Sequence, residues 1–375
     1  MAFPQTTGGE DLGKVSDARA MLESLQKVKI KMIMGFWTTF NMVVYGIGLI
    51  AGVFLSIVLH ELGHLACGRL SGYRFVSFRL MKWHWARGKD GKIKLTKDAG
   101  LGVIAGQCLM DPGEDEGDLR FVLYNLGGGL TNLLTGAFSI ASFFIIYDEF
   151  VRFFLFGIGV SALLLGGMNL VPRTVGGIPN DGKSIKEALK SSDARHGFYL
   201  MLKVNADMSK GKFVSDYDEQ AFSVNAGADL SNFFVGYIIM LRSQQLEEQG
   251  AYEQSYQELL RLDAASLPPY YSGVVELGLM FHELVYFEEE SFIQIARKRM
   301  EEKAKDKLFQ KILGIKHPAF LVFVAAKNGI IDGDEEKARE IIALARKLAS
   351  SLQNPGQEHS IALMLDRLES RICQK

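Results

Sequence analysis

Two histidines and a glutamate in the stretch His60-Glu61-Leu62-Gly63-His64 have the types and the spacing of a metal-dependent hydrolytic site. Residues four apart lie on one face of a helix, one turn apart, so the imidazoles of His60 and His64 can reach one metal ion. Glu61 follows the first histidine and would lie beside a water molecule bound to that ion. The motif thus supplies two zinc ligands and a general base, the parts needed for metal-assisted hydrolysis.

This motif comes at the end of a long apolar run. Residues 32–59 contain no charged residue, and the apolar stretch up to residue 70 exceeds the roughly 20 residues that cross a bilayer. Ionisable side chains inside such a segment are costly, and by default they indicate a functional site. The alternative interpretation is a helix end at which polar side chains reach the lipid headgroups. Cys67, one turn after His64, is interpreted as a helix-packing residue.

A third metal ligand is expected in residues 173–182, an irregular glycine-rich segment directly after another apolar run. Residues 153–171 carry no charge and predict a membrane span, which Pro172 ends because proline cannot continue a helix. Irregular backbone at membrane depth is tolerated only where protein buries it or where it lines a cavity. Asp181 is therefore expected to complete a His₂-carboxylate site, with one coordination position left for water.

The chain between these segments predicts a further span and a small β-region. Residues 121–147 contain 27 residues without a charge and predict a membrane helix. Within residues 73–109, residues 73–80 and 93–96 alternate as strands do, with a hairpin turn at 89–92. From Arg69 to Lys97 there are nine lysines or arginines and one acid, Asp90, which places this loop on the cytoplasmic side.

The predicted fold class is mainly α, in three parts. Residues 1–31 form a polar or interfacial segment, and residues 32–185 form a polytopic membrane core with the small β-sheet inserted. The run before His60 fits either one long helix or two helices broken near Gly46 and Gly48, so the core has three or four spans. Residues 186–375 predict a soluble, cytosolic domain of helical hairpins similar to tetratricopeptide repeats. Its expected helices are 232–248 with 252–262, 270–286 with 290–303, 318–328 with 335–349, and a last one over 357–372.

Composition excludes two classes of protein. The chain has 42 lysines and arginines against 43 acids, so no excess of basic residues indicates a nucleic-acid partner. Its three cysteines do not have the spacing of a disulfide framework or a zinc knuckle.

Three motifs, taken in order, resemble those of the site-2 protease family of intramembrane zinc metalloproteases. Residues 60–64 are similar to the metal motif of the family's first core helix. Residues 128–132 (Gly-Gly-Leu-Thr-Asn) are similar to the glycine-proline-x-x-asparagine signature of the second. Residues 169–172 (Asn-Leu-Val-Pro), followed by Asp181 and Gly182, are similar to the third-helix motif. The match covers about residues 45–185, a little over a third of the chain.

The sequence also departs from the family pattern. Gly129 stands where the family has proline, and Asn180 stands where a leucine usually precedes the aspartate. The spacing between Pro172 and Asp181 is longer than in the commonest version. These departures indicate a divergent bacterial subfamily, and they weaken the assignment of Asn132 more than that of Asp181.

The resemblance implies that His60, His64 and Asp181 bind Zn²⁺, that Glu61 is the base, and that Asn132 lies near the scissile carbonyl. Asn132 has an alternative as a helix–helix hydrogen-bonding residue. The implied substrates are transmembrane segments of small membrane proteins or signal-peptide remnants, hydrolysed in or near the lipid bilayer of the cell membrane. A substrate helix must unwind, and the edge of the 73–97 sheet could hold it by strand addition.

Other functions stay open at this point. The main alternative is a non-proteolytic zinc-binding scaffold that acts through its helical-repeat domain, which would bind a cytosolic peptide or protein. That domain could instead be a cap packed on the membrane core. A transporter is disfavoured because the spans do not form paired inverted repeats. A soluble zinc protease with an unrelated anchor is disfavoured because the two histidines continue the apolar run.

Overall fold

Helices make up most of the chain, and a small antiparallel sheet lies between the first and the second of them. The computed structural model describes residues 9–87, 92–97, 105–352 and 354–373. The predicted fold class, mainly helical with a small β-sheet insertion, is confirmed.

The first half contains three long helices: α1 (Gly9–Leu70), α2 (Phe121–Ser142) and α3 (Glu149–Leu170). Helix α1 is uninterrupted, so the alternative prediction, two helices with a break near Gly46 and Gly48, is wrong. Its start includes the described part of the predicted polar segment, residues 9–31, whereas residues 1–8 lie outside the described chain. Helix α2 ends at Ser142, earlier than the predicted residue 147.

Two of these helices are long and apolar enough to cross a membrane: the Met21–Leu70 part of α1, and α3. Helix α2 is uncharged, but its three consecutive glycines and two asparagines make it less apolar, and it does not qualify. A bent pair, Lys307–Leu313 with Pro318–Ile331, would make a third candidate if it were one span. The number of spans therefore stays a prediction.

The sheet contains β1 (Arg74–Leu80), β2 (Trp83–Arg87), β3 (Ile93–Lys97) and β4 (Gly106–Asp111), in the order β3-β2-β1-β4 and antiparallel throughout. The strands predicted at 73–80 and 93–96 are confirmed as β1 and β3. The predicted hairpin turn lies almost wholly outside the described residues. Strands β2 and β4 lie within the predicted β-region, residues 73–109, but their separate bounds were not predicted.

Contacts divide the chain into two compact units, which are described separately. The first unit contains the chain up to Ser56 together with Leu134–Leu164, and the second contains Ile57–Leu133 and the chain from Leu165 onward. In the first unit the helices approach closely at glycines. The backbone of α1 at Gly48 lies against the Phe154 carbonyl of α3, and the Ser161 hydroxyl donates to the Leu49 carbonyl at 2.8 Å.

In the second unit, the segment after α3 forms a two-stranded ribbon, β5 (Thr174–Val175) and β6 (Ile178–Pro179), and then ten helices. These are α4 (Asp181–Ala188), α5 (Ser192–Lys210), α6 (Phe233–Glu248), α7 (Tyr252–Leu260), α8 (Pro269–Phe281), α9 (Glu290–Lys303), α10 (Lys307–Leu313), α11 (Pro318–Ala326), α12 (Glu335–Ala349) and α13 (Pro355–Cys373). Short π-helical turns, His282–Tyr286 and Lys327–Ile331, extend α8 and α11. The predicted helices from residue 232 onward are all present, whereas α4, α5 and α10 were not predicted.

The arrangement of these helices leaves the repeat domain unconfirmed. Helix α6 packs along α7, and α11 packs along α12, as predicted hairpins would. Helix α8 lies more against α10 and its own π-helical turn than against α9. Phe198 of α5 and Phe234 of α6 share a buried core with Cys108 of β4 and Phe121 of α2. Helices α5 and α6 thus cap the sheet and the beginning of α2.

A buried lysine ties this cap to the loop after β4. Lys203 of α5 is 5 % exposed, and its Nζ lies 2.6 Å from Glu114 Oε1 and 2.8 Å from Asp207 Oδ2. Burial by itself would raise the pKa of Asp207, but hydrogen bonds from Lys203 and Tyr217 lower it. The stability that this carboxylate contributes is therefore present above the unfolded-state pKa and lost as the pH falls through the lowered folded value.

We expect Lys203→Ala to lower the free energy of unfolding by about 1–3 kcal/mol, because the buried Asp207 carboxylate loses its nearest cation and keeps only the longer contacts to Lys210 at 3.4 Å and Lys212 at 3.9 Å. Denaturant titration of the purified protein in detergent, followed by circular dichroism, measures this change. Lys327→Ala, which removes an exposed pair with Asp332, is the matched control and should cost at most about 1 kcal/mol. Equal costs for the two variants would contradict the role given to Lys203.

Candidate metal centre

Three of the predicted site residues meet in the second unit. The Nε2 atoms of His60 and His64 lie 3.1 Å apart. Oδ2 of Asp181 lies 3.1 Å from the first and 3.2 Å from the second. Among the described histidines, cysteines and acids, this is the cluster whose atoms could share one metal ion.

The cluster passes a simple test of fit for Zn²⁺. A tetrahedral zinc ion with bonds of about 2.0–2.1 Å keeps its ligand atoms about 3.3 Å apart, close to the three separations here. Nδ1 of His64 lies 2.8 Å from the Tyr124 carbonyl, to which it can donate only as N–H. That tautomer leaves Nε2 of His64 unprotonated and able to bind a metal.

The two histidines come from one helix, but the aspartate reaches them because of how α4 begins. Asp181 is the first residue of α4, after the cap residue Asn180. The Asn180 carboxamide accepts from Lys183 N–H at 2.9 Å and donates to the Val171 carbonyl at 2.8 Å. Asn180 thus joins the start of α4 to the end of α3, a role that leucine, the usual family residue, could not perform.

Glycines let the backbones approach the site. A Cβ at Gly128 of α2 would lie 2.6 Å from Nε2 of both His60 and His64. Only glycine fits there without displacing the imidazoles. A Cβ at Gly182, next to the aspartate, would overlap the Leu170 carbonyl of α3. A glycine therefore follows Asp181 for a steric reason, the close approach of α3, and not because of the chemistry of the carboxylate.

The charge state of Asp181 suits a metal ligand. Burial by itself would raise the pKa of Asp181, but when the imidazoles of His64 and His60 are protonated at Nε2, which is possible only without a metal ion, their charges and hydrogen bonds lower it to about 2. The carboxylate is therefore ionised at neutral pH.

Glu61 is held by strand β4. It is 7 % exposed and accepts a hydrogen bond from the Cys108 N–H. A Cβ at Gly106 would lie 2.6 Å from Oε1 of Glu61, so the strand passes directly against the carboxylate. Its charge is near enough to interact with those of His60, His64 and Asp181. Glu61 thus lies beside the cluster without being one of its three ligands.

Because Glu61 contacts strand β4, the edge of the sheet at β4 is not free to pair with another strand. Strand β4 is an end strand, but Cys108 already pairs on its outer side, through its N–H with Glu61 and through its carbonyl with the Tyr124 hydroxyl. The other end strand, β3, has no strand partner on its outer side among the described residues. It lies three strand spacings away, roughly 14 Å. Strand addition at the 73–97 sheet would therefore use β3.

Asn169 is the site residue whose role the sequence reasoning missed. Its carboxamide nitrogen lies 2.9 Å from Nε2 of His60 and 2.5 Å from Oδ2 of Asp181. Asn169 therefore contacts two of the three candidate ligands. With a metal ion on Nε2 of His60, the single lone pair of that nitrogen would be used, and Asn169 would keep its hydrogen bond to Asp181. In the sequence, the feature that pointed to this role was the position of the asparagine, three residues before Pro172, which ends the helix.

Asn132 lies farther along α2, one turn after Gly128, and is 2 % exposed. Its side chain packs against Gly166 of α3. Its carboxamide oxygen is buried and has no hydrogen-bond partner among the described residues. The alternative role, a helix–helix hydrogen bond, is therefore not formed through this oxygen. A buried unpaired acceptor costs about 1–3 kcal/mol, which a bound donor would recover.

Cys67 is not part of the cluster. Its Cβ lies 2.8 Å from where a Cβ at Gly127 would be, so it packs at the contact between α1 and α2. The interpretation as a packing residue is in accord with this position.

No protein-family model matches the chain, and neither the curated proteins nor the solved structures contain a significant match. The resemblance to site-2 proteases thus rests on the three sequence motifs alone.

Proposed function

We propose that this protein is an intramembrane zinc metalloprotease that hydrolyses peptide bonds in or near transmembrane segments. The observation that carries the proposal is the convergence of His60, His64 and Asp181 from α1 and α4, with Glu61 beside them. Residues separated by more than a hundred positions in the chain bring three metal-binding atoms within 3.2 Å of one another. Two candidate membrane helices, one of which contains the two histidines, support the location in the membrane.

Each residue of the proposed site has a separate role in peptide-bond hydrolysis. A bound Zn²⁺ would lower the pKa of a water molecule and polarise the scissile carbonyl. Glu61 takes the proton of the attacking water and later donates it to the leaving amine. Burial beside β4 keeps its carboxylate in one orientation. Asn169 orients Asp181, and the Asn132 carboxamide is available to the substrate backbone.

The substrates we propose are the transmembrane segments of small membrane proteins or the remnants of signal peptides. An α-helix hides its carbonyls in internal hydrogen bonds, so the scissile segment must be extended before it reaches Glu61. Strand β3 offers an exposed edge for such a segment.

We further propose a sidedness. The basic loop that contains β1–β3 and the helices after α4 would be cytosolic, and Glu149 would be outside. Because α1 is one helix, residues near its start, such as Ser24, would also be outside. The lysines that follow Ser24 oppose that orientation under the same rule, so labelling at Ser24 is informative.

Metal content tests the ligand set. The purified protein should hold about one zinc per chain, measured by mass spectrometry of the metal, and Asp181→Ala should lose most of it. Asn169→Ala should weaken zinc binding about 10–100-fold, because it removes the hydrogen-bond donor of the Asp181 carboxylate. Asn205→Ala, a half-buried asparagine of α5, is the matched control and should bind zinc normally. Full zinc retention in Asp181→Ala would remove Asp181 from the site.

Topology is tested by single cysteines placed in a variant from which Cys67, Cys108 and Cys373 have been replaced. Labels at Ser24 and Glu149 should react with an impermeant thiol reagent from outside, and a label at Gln249 should react only from the cytosol. All three positions are exposed. Reaction of Glu149 and Gln249 from the same side would contradict the proposed orientation of α3.

Glu61→Gln separates a protease from a scaffold. The variant keeps size and hydrogen bonding but loses the base, so it should fold and hold zinc while cleavage falls about 10²–10⁴-fold. The assay is co-expression with a panel of tagged single-span proteins and signal peptides, read by gel mobility. Glu253→Gln, at an exposed position of α7, is the control and should cleave as the wild type does. A zinc-loaded Glu61→Gln protein with full cellular activity would favour the scaffold.

A further inference from the structure

A cavity of about 370 Å³ lies among the C-terminal helices, bounded by α6, α8, α11 and α13. All of its lining residues fall between Tyr237 and Met364, within the second unit and outside the candidate metal centre. The volume is in the range of small-molecule sites, about 300–1,000 Å³. This feature is independent of the metal cluster and of the proposed protease activity.

The lining combines aromatic walls with negative charge. Tyr237, Tyr271, Phe281 and Phe320 supply aromatic faces. Glu247 and Glu248 are the acids, and none of the described lining residues is a lysine or an arginine. A cavity with carboxylates, aromatic rings and no fixed cation is complementary to a cation with an apolar body.

The two glutamates differ in how well they are paired. Glu248 accepts hydrogen bonds from Gln244 at 3.1 Å, from Ser360, and from the Ser215 N–H at 2.8 Å. Glu247 accepts from the Tyr286 hydroxyl alone among the described residues. Glu248 is thus satisfied within the protein, whereas Glu247 retains acceptor capacity.

Among the described residues, no lysine or arginine forms an ion pair with Glu247. The Tyr286 hydroxyl that bonds to it carries no charge, and Glu248 is an acid. Burial raises the pKa of Glu247 to about 7, despite the hydrogen bond from Tyr286 and with a further contribution from the charge of Glu248. Glu247 is half-buried in the cavity wall, and a ligand that carries a cation would favour its charged form.

We infer that this cavity binds a small organic molecule with a primary ammonium group and an aromatic or aliphatic body. The ammonium group donates to the Glu247 carboxylate, a charge-assisted hydrogen bond. The body lies against the aromatic walls, where its burial removes apolar surface from water. The helical domain is therefore a small-molecule binding module in addition to a cap on the sheet.

The test is calorimetric titration of the full-length purified protein in detergent with three probes of one shape. These are 4-phenylbutylamine, the neutral 4-phenylbutanol and the anionic 4-phenylbutyrate. The amine should bind, and the alcohol should bind about 10–100-fold more weakly, because it lacks the charge-assisted bond. The anion should show no binding. Titration into protein-free micelles corrects for partition of the probes.

Two variants locate the site. Glu247→Gln keeps the shape of the cavity and should weaken the amine about 10–100-fold while leaving the alcohol unchanged. Glu302→Gln removes a charge from an exposed position of α9 outside the lining and should bind the amine as the wild type does. Ala319→Trp fills the cavity from α11 and should abolish binding of both probes. Circular dichroism melts establish that each variant is folded.

Two outcomes would overturn the inference. One is the absence of amine binding to folded wild-type protein at millimolar probe. The other is amine binding that survives Glu247→Gln in a folded variant, since the cation would then be recognised elsewhere. Because neither readout uses zinc or proteolysis, both are distinguishable from a failure of the proposed function.

Discussion

The site depends on holding two imidazoles and a carboxylate within 3.2 Å of one another inside a helical bundle. The neighbouring backbones can approach this closely because glycines, which have no side chain, lie at the points of contact. Gly128 lets α2 lie on the two imidazoles, and Gly182 lets α4 begin against the end of α3. A methyl group at either position would displace a ligand or its helix, so the metal geometry and the helix packing constrain each other.

The β-sheet insertion has a direct role in this arrangement. Strand β4 uses a backbone N–H to hold Glu61, and its carbonyl accepts from Tyr124, whose own carbonyl accepts from His64. Glu61, the proposed general base, and His64, a candidate ligand, are therefore joined through Cys108 of β4 and Tyr124 of α2. This joint orients both side chains, and it occupies the strand edge nearest to them. The extended substrate that we propose would have to approach by another edge.

The charged side chains of the C-terminal helices have two kinds of surroundings. Around Lys203 and Asp207 opposite charges are paired and buried, which ties α5 to the loop after β4. At Glu247 a carboxylate faces a cavity with only a tyrosine hydroxyl to accept from. The paired charges stabilise the fold, whereas the Glu247 carboxylate keeps hydrogen-bond acceptor capacity that the described residues do not fill.

Local sequence determined the helical character of the chain, the strands β1 and β3, and the face shared by His60 and His64, because these follow from periodicity within a few residues. It also pointed to Asp181, because a proline-ended apolar helix leaves the next carboxylate near the helix end. Only the tertiary structure decided what contacts Glu61, since β4 is a strand through its pairing with a distant segment. The same holds for Asn169, whose partners come from α1 and α4, and for the cavity at Glu247, which four separate helices enclose. Helix α2 has both kinds of signal: its lack of charge predicts a span, which stays a prediction, whereas the close contacts of its glycines with α1 and α3 are seen only in the tertiary structure.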